Sequence, residues 1–163
     1  MTPRLMPHAA LTAIIALALG ACKTNSSGPP NILYGQDVCA DCGMIISDEH
    51  FAAAIAETDD GAGPALIFDD IGCMLAYQKE HEVNPKRQRY VHDYASGAWI
   101  NAESAFLIKS DSIATPMASG LIAFRQRALA QVALRDAAQH PQTYSELLTP
   151  PDAERPASTS SKR

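Results

Sequence analysis

The segment Phe51-Ala-Ala-Ala-Ile-Ala56, followed after a turn by Ala65-Leu-Ile-Phe68, decides the fold of this chain. Both runs are short and apolar, and the connection between them is rich in Asp, Gly and Pro, so they predict a β-hairpin. Asp69 or Asp70 then stands where a helix cap is expected. The apolar residues that follow at helical spacing predict a helix that runs to about Glu82.

A similar pattern recurs along the rest of the chain. Residues 89–94 supply the strand after the first helix, and residues 98–101, 106–109 and 120–124 are again strand-like. Residues 126–139 form an Ala- and Leu-rich helical segment. We therefore predict an α+β fold built from two ββαβ-type units.

Polar segments rich in Ser, Thr, Gly and Pro flank this folded part. Such composition buries too little apolar surface to order a chain. We expect residues 22–35 to be a flexible linker that begins at Cys22, residues 36–147 to form one domain, and residues 148–163 to be a disordered tail.

The N-terminus has the organisation of an export signal. Arg4 precedes an apolar run over residues 9–19, which is too short to span a bilayer. The sequence Leu19-Gly20-Ala21-Cys22 that follows resembles a bacterial lipobox. Residues 1–21 are thus predicted to be a lipoprotein signal peptide. The alternative is an ordinary secretory signal.

Cys22 would carry the lipid in the first interpretation and remain a free thiol in the second. Lipidation, including a palmitate, would anchor the protein to a bacterial membrane without a spanning helix. By resemblance to the sorting rule of such lipoproteins, Thr24 in place of an aspartate favours the outer membrane, facing the periplasm.

Composition narrows the functional classes. The formal net charge of −5 and the absence of a basic run argue against nucleic acid, whose phosphates require Lys and Arg. The sequence contains no nucleophile elbow, no phosphate-binding loop and no supported pair of acid and base residues. We therefore expect that the protein is not an enzyme.

The segment Cys39-Ala-Asp-Cys42-Gly-Met44 places two thiols and a thioether within six residues. An extended segment would put Cys42 and Met44 on the same side, two residues apart. Soft sulfur donors of this kind suit Cu(I), which is content with two or three ligands. The segment therefore predicts a copper site.

Other interpretations of the cysteines remain open at this point. Cys39 and Cys42 could form a thiol-disulfide redox pair or a structural disulfide, since exported proteins meet oxidising conditions. A structural zinc site could add Cys73 and either His50 or His92.

The remaining sulfur residues differ in context. Cys73 and Met74 lie on the predicted first helix, where such residues are mostly part of the core. Met117 lies in a loop flanked by Pro116 and Gly120, where a ligand could be presented. His92, next to an aspartate in a predicted strand, is either an ordinary strand residue or an additional ligand.

Several motifs together resemble the NosL family, over nearly the whole folded region. They are Asp37-Val-Cys-Ala-Asp-Cys-Gly-Met-Ile-Ile46, Phe51-Ala-Ala-Ala54, Phe68-Asp-Asp-Ile-Gly-Cys-Met74, Val91-His-Asp-Tyr94, Trp99-Ile-Asn-Ala102, Thr115-Pro-Met117 and Leu121-Ile-Ala-Phe124. The members are lipoproteins associated with assembly of nitrous oxide reductase, an enzyme of denitrification. The resemblance implies an α+β fold of two ββαβ units, similar to a domain of the organomercurial lyase MerB.

The resemblance also implies a function: a periplasm-facing Cu(I) chaperone that delivers copper towards the reductase. Its partners would be nitrous oxide reductase and the membrane components of its maturation machinery, although a related extracytoplasmic copper enzyme is an alternative client. Cys42 and Met44 match the family's Cys-x-Met copper ligands. Cys39 belongs to a subset of members with a paired cysteine, and Met117 matches the family's late Met loop as a hypothetical ligand.

Overall fold

The computed structural model of the chain describes residues 28–56, 63–134 and 139–149. The predicted signal peptide, the lipidation of Cys22 and nearly all of the predicted tail lie outside the described residues. The described part begins to pack before residue 36, because Ile32 is buried in the main core. Residues 32–35 of the predicted linker thus adjoin the folded body, and the amide of Gly35 donates to the carbonyl of Ile46 at 2.8 Å.

Four short strands form the main antiparallel sheet. They are β1 (Ala53–Ile55), β2 (Leu66–Phe68), β3 (Arg89–His92) and β4 (Trp99–Asn101), in the order β2-β1-β3-β4. β1 lies inside the sheet and is fully buried, which explains its small apolar residues. The predicted hairpin is present, with Ala53 opposite Phe68.

Helix α1 (Ile71–Glu80) connects β2 to β3 and lies against β1 and β2. Asp70 is its N-cap and accepts a hydrogen bond from the amide of Gly72 at 2.5 Å. The helix ends two residues before the predicted position, and His81 is its C-cap. Met74 is fully buried in the main core, as the sequence indicated.

The second half of the molecule contains a short 3-10 turn at Ala102–Ser104 and a two-stranded antiparallel sheet of β5 and β6. It also contains two helices, α2 and α3. The bounds are Phe106–Lys109 for β5, Leu121–Phe124 for β6, Arg127–Ala133 for α2 and Tyr144–Leu148 for α3.

The α+β class is confirmed, and the first half has the predicted ββαβ order as β1-β2-α1-β3. In the second half the helix α2 follows β6, where the sequence predicts a helix over residues 126–139, so the order β4-β5-β6-α2 does not repeat the ββαβ unit. The connection from Lys109 to Leu121 is an irregular loop, in which Pro116 and Gly120 disfavour a helix. α2 ends at Ala133, earlier than predicted, because the backbone of its C-cap Leu134 is extended. Among the described helices, none has the length and apolarity needed to cross a membrane.

The loop before β6 is attached to the N-terminal end of α1. The buried carboxylate of Asp70 accepts hydrogen bonds from the hydroxyl of Ser119 at 2.5 Å and from the amide of Met117 at 3.3 Å. Gly72 lets the loop approach, because a Cβ there would lie 2.5 Å from the Cβ of Ser119. The loop that carries Met117 is therefore held against the start of the helix.

The end of this loop depends on Gly120, which has φ +67° and lies where a Cβ would come within 2.7 Å of the carbonyl oxygen of Ser110. We expect Gly120→Ala to lower the free energy of unfolding by about 3 kcal/mol, from the left-handed backbone and the clash together. Gly97→Ala is the matched control, since φ is +69° there but the nearest atom is 3.8 Å away. Denaturant unfolding measures both. Equal losses would show that the contact with Ser110 is unimportant.

Candidate metal centre

A tight loop carries the first two cysteines. The amide of Cys39 donates to the carbonyl of Met44 at 2.8 Å, and the amide of Gly43 donates to the carbonyl of Cys39 at 3.0 Å. Gly43 has φ +72°, a conformation that a glycine adopts without steric cost. The extended segment considered for Cys42 and Met44 is therefore replaced by a turn, after which Ile45 forms a bridge with Val38. The segment is thus closed on itself like a small hairpin.

We call residues 38–45 the thiol loop. One hydrogen bond from this loop and one from the residues just after it attach it to β2 and to the residue that follows β2. The amide of Ala40 donates to the carbonyl of Ile67 in β2 at 2.8 Å. Just beyond the loop, the amide of Ser47 donates to the carboxylate of Asp69 at 3.1 Å. Asp69 directly follows β2 and precedes the N-cap of α1. The thiol loop is therefore fixed at the corner where strand turns into helix.

Three thiols meet at this corner. The sulfur atoms of Cys39, Cys42 and Cys73 all lie within 4.8 Å of one another, and the three cysteines are free thiols. Cys39 and Cys73 are 2% and 4% exposed, whereas Cys42 is half-buried. The sequence favoured a packing role for Cys73, but its place in the first turn of α1 brings it beside the loop.

The surroundings of the cluster disfavour charged thiolates in the absence of a cation. Burial raises the pKa of Cys73, and the two neighbouring thiols raise it further. Burial also raises the pKa of Cys42, although the backbone of Met44 acts in the opposite direction. A thiol must lose its proton to ligate a metal, so a bound ion would have to displace these protons.

The two methionines predicted as ligands lie at the surface, on loops joined to the segments that carry the cysteines. Met44 ends the tight loop and is 54% exposed, and Met117 is 38% exposed. The amide of Met117 is bound to Asp70, the cap of the helix that carries Cys73. Both predicted thioether ligands are therefore accessible, one on the thiol loop and one on the loop held at the helix start.

The histidines considered for a zinc site lie elsewhere. The ring of His92 is buried against Trp99, with 3.7 Å between ring centroids, and its Nδ1 lies 3.2 Å from the carbonyl of Ala52. Burial lowers the pKa of His92. His50 is exposed and contacts Asp48 at 3.1 Å. Within the described ranges, no histidine belongs to the cysteine cluster.

The antiparallel α+β scaffold and the clustered thiols define a small domain with a site suited to a soft metal ion. The family model NosL matches residues 30–140, well over half of the chain. The chain belongs to the NosL family.

A solved structure shares the fold. It is the crystal structure of the copper chaperone NosL from Shewanella denitrificans, with a TM-score of 0.59 and 16% sequence identity. The match covers 72% of this chain and 94% of that one. A comparison with curated proteins gave no significant match.

The unequal burial of the thiols predicts unequal reactivity. In the full chain with Cys22→Ser, we expect an alkylating reagent to modify Cys42 first and to reach Cys39 and Cys73 only on unfolding. Because the pKa of Cys42 is raised, its rate should keep rising with pH beyond the usual thiol range of about 8.5. Mass spectrometry of timed samples measures this. Modification of all three thiols at one rate in the native protein would contradict it.

Proposed function

We propose that this protein is an extracytoplasmic Cu(I)-binding metallochaperone and not an enzyme. The observation that supports it best is the meeting of three free thiols within 4.8 Å, half open to solvent through Cys42. The structural relative from Shewanella denitrificans is described as a copper chaperone, which agrees with this proposal. The copper ion is the cargo of the site.

The proposed ligands are Cys42 and Met44, with Cys39 and Met117 as further candidates. Thiolate and thioether sulfur are soft donors, which Cu(I) prefers and which hard cations such as Mg²⁺ do not. Met44 and Met117 are accessible from solvent, so an incoming donor of a client could replace them without opening the core. A low coordination number leaves room for that exchange.

A thiol-disulfide oxidoreductase is the main alternative for the Cys39 and Cys42 pair. Reactive redox thiols have a lowered pKa, which increases the fraction of nucleophilic thiolate. Here the pKa of Cys42 is raised by burial. A raised pKa lowers the thiolate fraction and so slows disulfide exchange, and turnover of a disulfide substrate by the reduced, metal-free protein would favour this alternative instead.

A copper titration tests the ligand role of Met44. With a competing Cu(I) chelator and no oxygen, we expect Met44→Ala to weaken binding about tenfold, or ~1.4 kcal/mol, because a soft donor is lost. Ile45→Ala is the matched control, since Ile45 is the next residue and is also 54% exposed. Affinity should fall as the pH is lowered, because thiols with a raised pKa then compete more strongly for protons.

The titration has two clear negative outcomes. Equal affinities for Met44→Ala and Ile45→Ala would remove Met44 from the ligand set. Loss of copper from the reduced wild-type protein to a weak chelator would contradict the chaperone function as a whole.

We further propose a client and a location. The client is nitrous oxide reductase, reached together with its membrane maturation machinery, and the anchor is a lipid on Cys22 in the outer membrane, facing the periplasm. Support comes from membership of the NosL family and from the lipobox-like sequence before Cys22. Anchoring would confine the copper site to the periplasmic surface of the membrane, where an extracytoplasmic client can be reached.

The proposed client and the proposed lipid anchor can be tested together in cells that make nitrous oxide reductase. We expect Cys22→Ser to move the protein from the membrane fraction and to lower the copper content of the reductase. Cys42→Ser should stay in the membrane fraction and lower the copper content as well. Fractionation and metal analysis of the purified reductase measure these effects. Retention of the Cys22→Ser chain in the membrane would contradict the anchor, and an unchanged copper content in Cys42→Ser cells would contradict the client.

A further inference from the structure

We propose that Cys73 is a third thiolate ligand, so that Cys39, Cys42 and Cys73 hold the ion as a trigonal set of thiolates and Met44 adds a donor from the exposed end of the thiol loop. This inference rests on the proposed function, because it concerns the same cargo ion. It adds a residue that the sequence assigned to the core. It also makes the buried side of the site an all-thiolate one.

The spacing of the sulfur atoms fits such a site. Metal–thiolate bonds of about 2.3 Å in a planar trigonal arrangement separate the sulfurs by about 4.0 Å. The three sulfurs lie within 4.8 Å of one another before any ion is bound, so a contraction of less than about 1 Å suffices. Small changes of side-chain torsion can supply that contraction.

The backbone around the cluster is fixed in advance by buried carboxylates. Asp69 holds the chain beyond the thiol loop through the amide of Ser47, and the next residue, Asp70, caps α1. Both side chains are almost fully buried. Because adjacent residues hold the loop and the helix, Cys73 cannot drift from Cys39 and Cys42 without breaking these hydrogen bonds.

The helix favours negative charge at this position. Cys73 is the third residue of α1, where the helix dipole stabilises an anion by about 0.3–1 kcal/mol. Three thiolates around a monovalent ion carry a net negative charge. The first turn of a ten-residue helix is therefore a suitable place for one of them.

The burial of the three cysteines gives them different tasks. Cys39 and Cys73 are almost completely shielded and would retain the ion, whereas half-buried Cys42 is the thiolate that a client donor can reach first. In ligand exchange, the incoming donor forms a bond to the ion as the bond to Cys42 breaks, and a proton returns to the freed thiol. No electron is transferred in this step.

Cadmium provides a direct test, because thiolate-to-metal charge-transfer absorption counts the thiolates around each Cd²⁺. The reference is the full chain with Cys22→Ser, in which the three clustered cysteines are the remaining ones. We expect Cys73→Ala to lose about one third of the absorption per bound ion, as Cys39→Ala does, and to weaken Cu(I) binding at least about tenfold. Met74→Leu, on the same helix and buried, should change neither quantity.

The outcomes separate this inference from the proposed function. Unchanged absorption and Cu(I) affinity in Cys73→Ala, with losses in Cys39→Ala, would overturn the third ligand and leave the chaperone function intact. Failure of the reference chain to bind Cu(I) would instead remove the proposed function. If Cys73→Ala does not fold, Cys39→Ala decides: a loss of one third indicates three thiolates, whereas a loss of one half indicates two and overturns the inference.

Discussion

The carboxylate of Asp70 is the constraint on which the site and much of the fold depend. It is fully buried, caps α1 through Gly72, and binds Ser119 and Met117 of the loop before β6. Hydrogen bonds to a charged group contribute about 1.5–3 kcal/mol each, and a buried carboxylate that lost them would be costly. One side chain thus joins the helix that carries Cys73 to the loop that carries Met117, and both sulfur residues take their positions from it.

Asp69, the residue before Asp70, fixes the other segment of the site. It is almost fully buried and holds the segment after the thiol loop through Ser47. Burial raises the pKa of Asp69, so its position costs some stability. The result is a site whose backbone is in place before an ion arrives, so that binding need not order the loop first.

The sequence predicted the structure correctly where an element is determined by residues close together in the chain. The hairpin of β1 and β2 and the cap at Asp70 follow from neighbouring residues, whereas the Cys39 to Met44 segment turns back on itself instead of running extended. The role of Cys73 could not be seen in the same way, because a cysteine at helical spacing in an apolar stretch resembles a core residue. Its place in the cluster depends on the hydrogen bond between Ala40 and Ile67, which is a tertiary contact. Likewise, α3 was not predicted, although Thr143 and Glu146 form a capping box at its start.

The sulfur residues differ in their exposure to solvent, and this difference favours a protein that carries a metal ion over one that stores it. A fully enclosed trithiolate would hold a soft ion firmly but would have to open before releasing it. Here Cys39 and Cys73 are shielded, Cys42 is half-buried, and exposed Met44 ends the loop that carries Cys39 and Cys42. Thioethers are neutral donors, so contact with Met44 requires no deprotonation, whereas each thiol must lose a proton to bind. The exposed end of the thiol loop therefore carries a sulfur donor whose protonation does not depend on pH, whereas the donors in the buried corner are thiols that must first lose a proton.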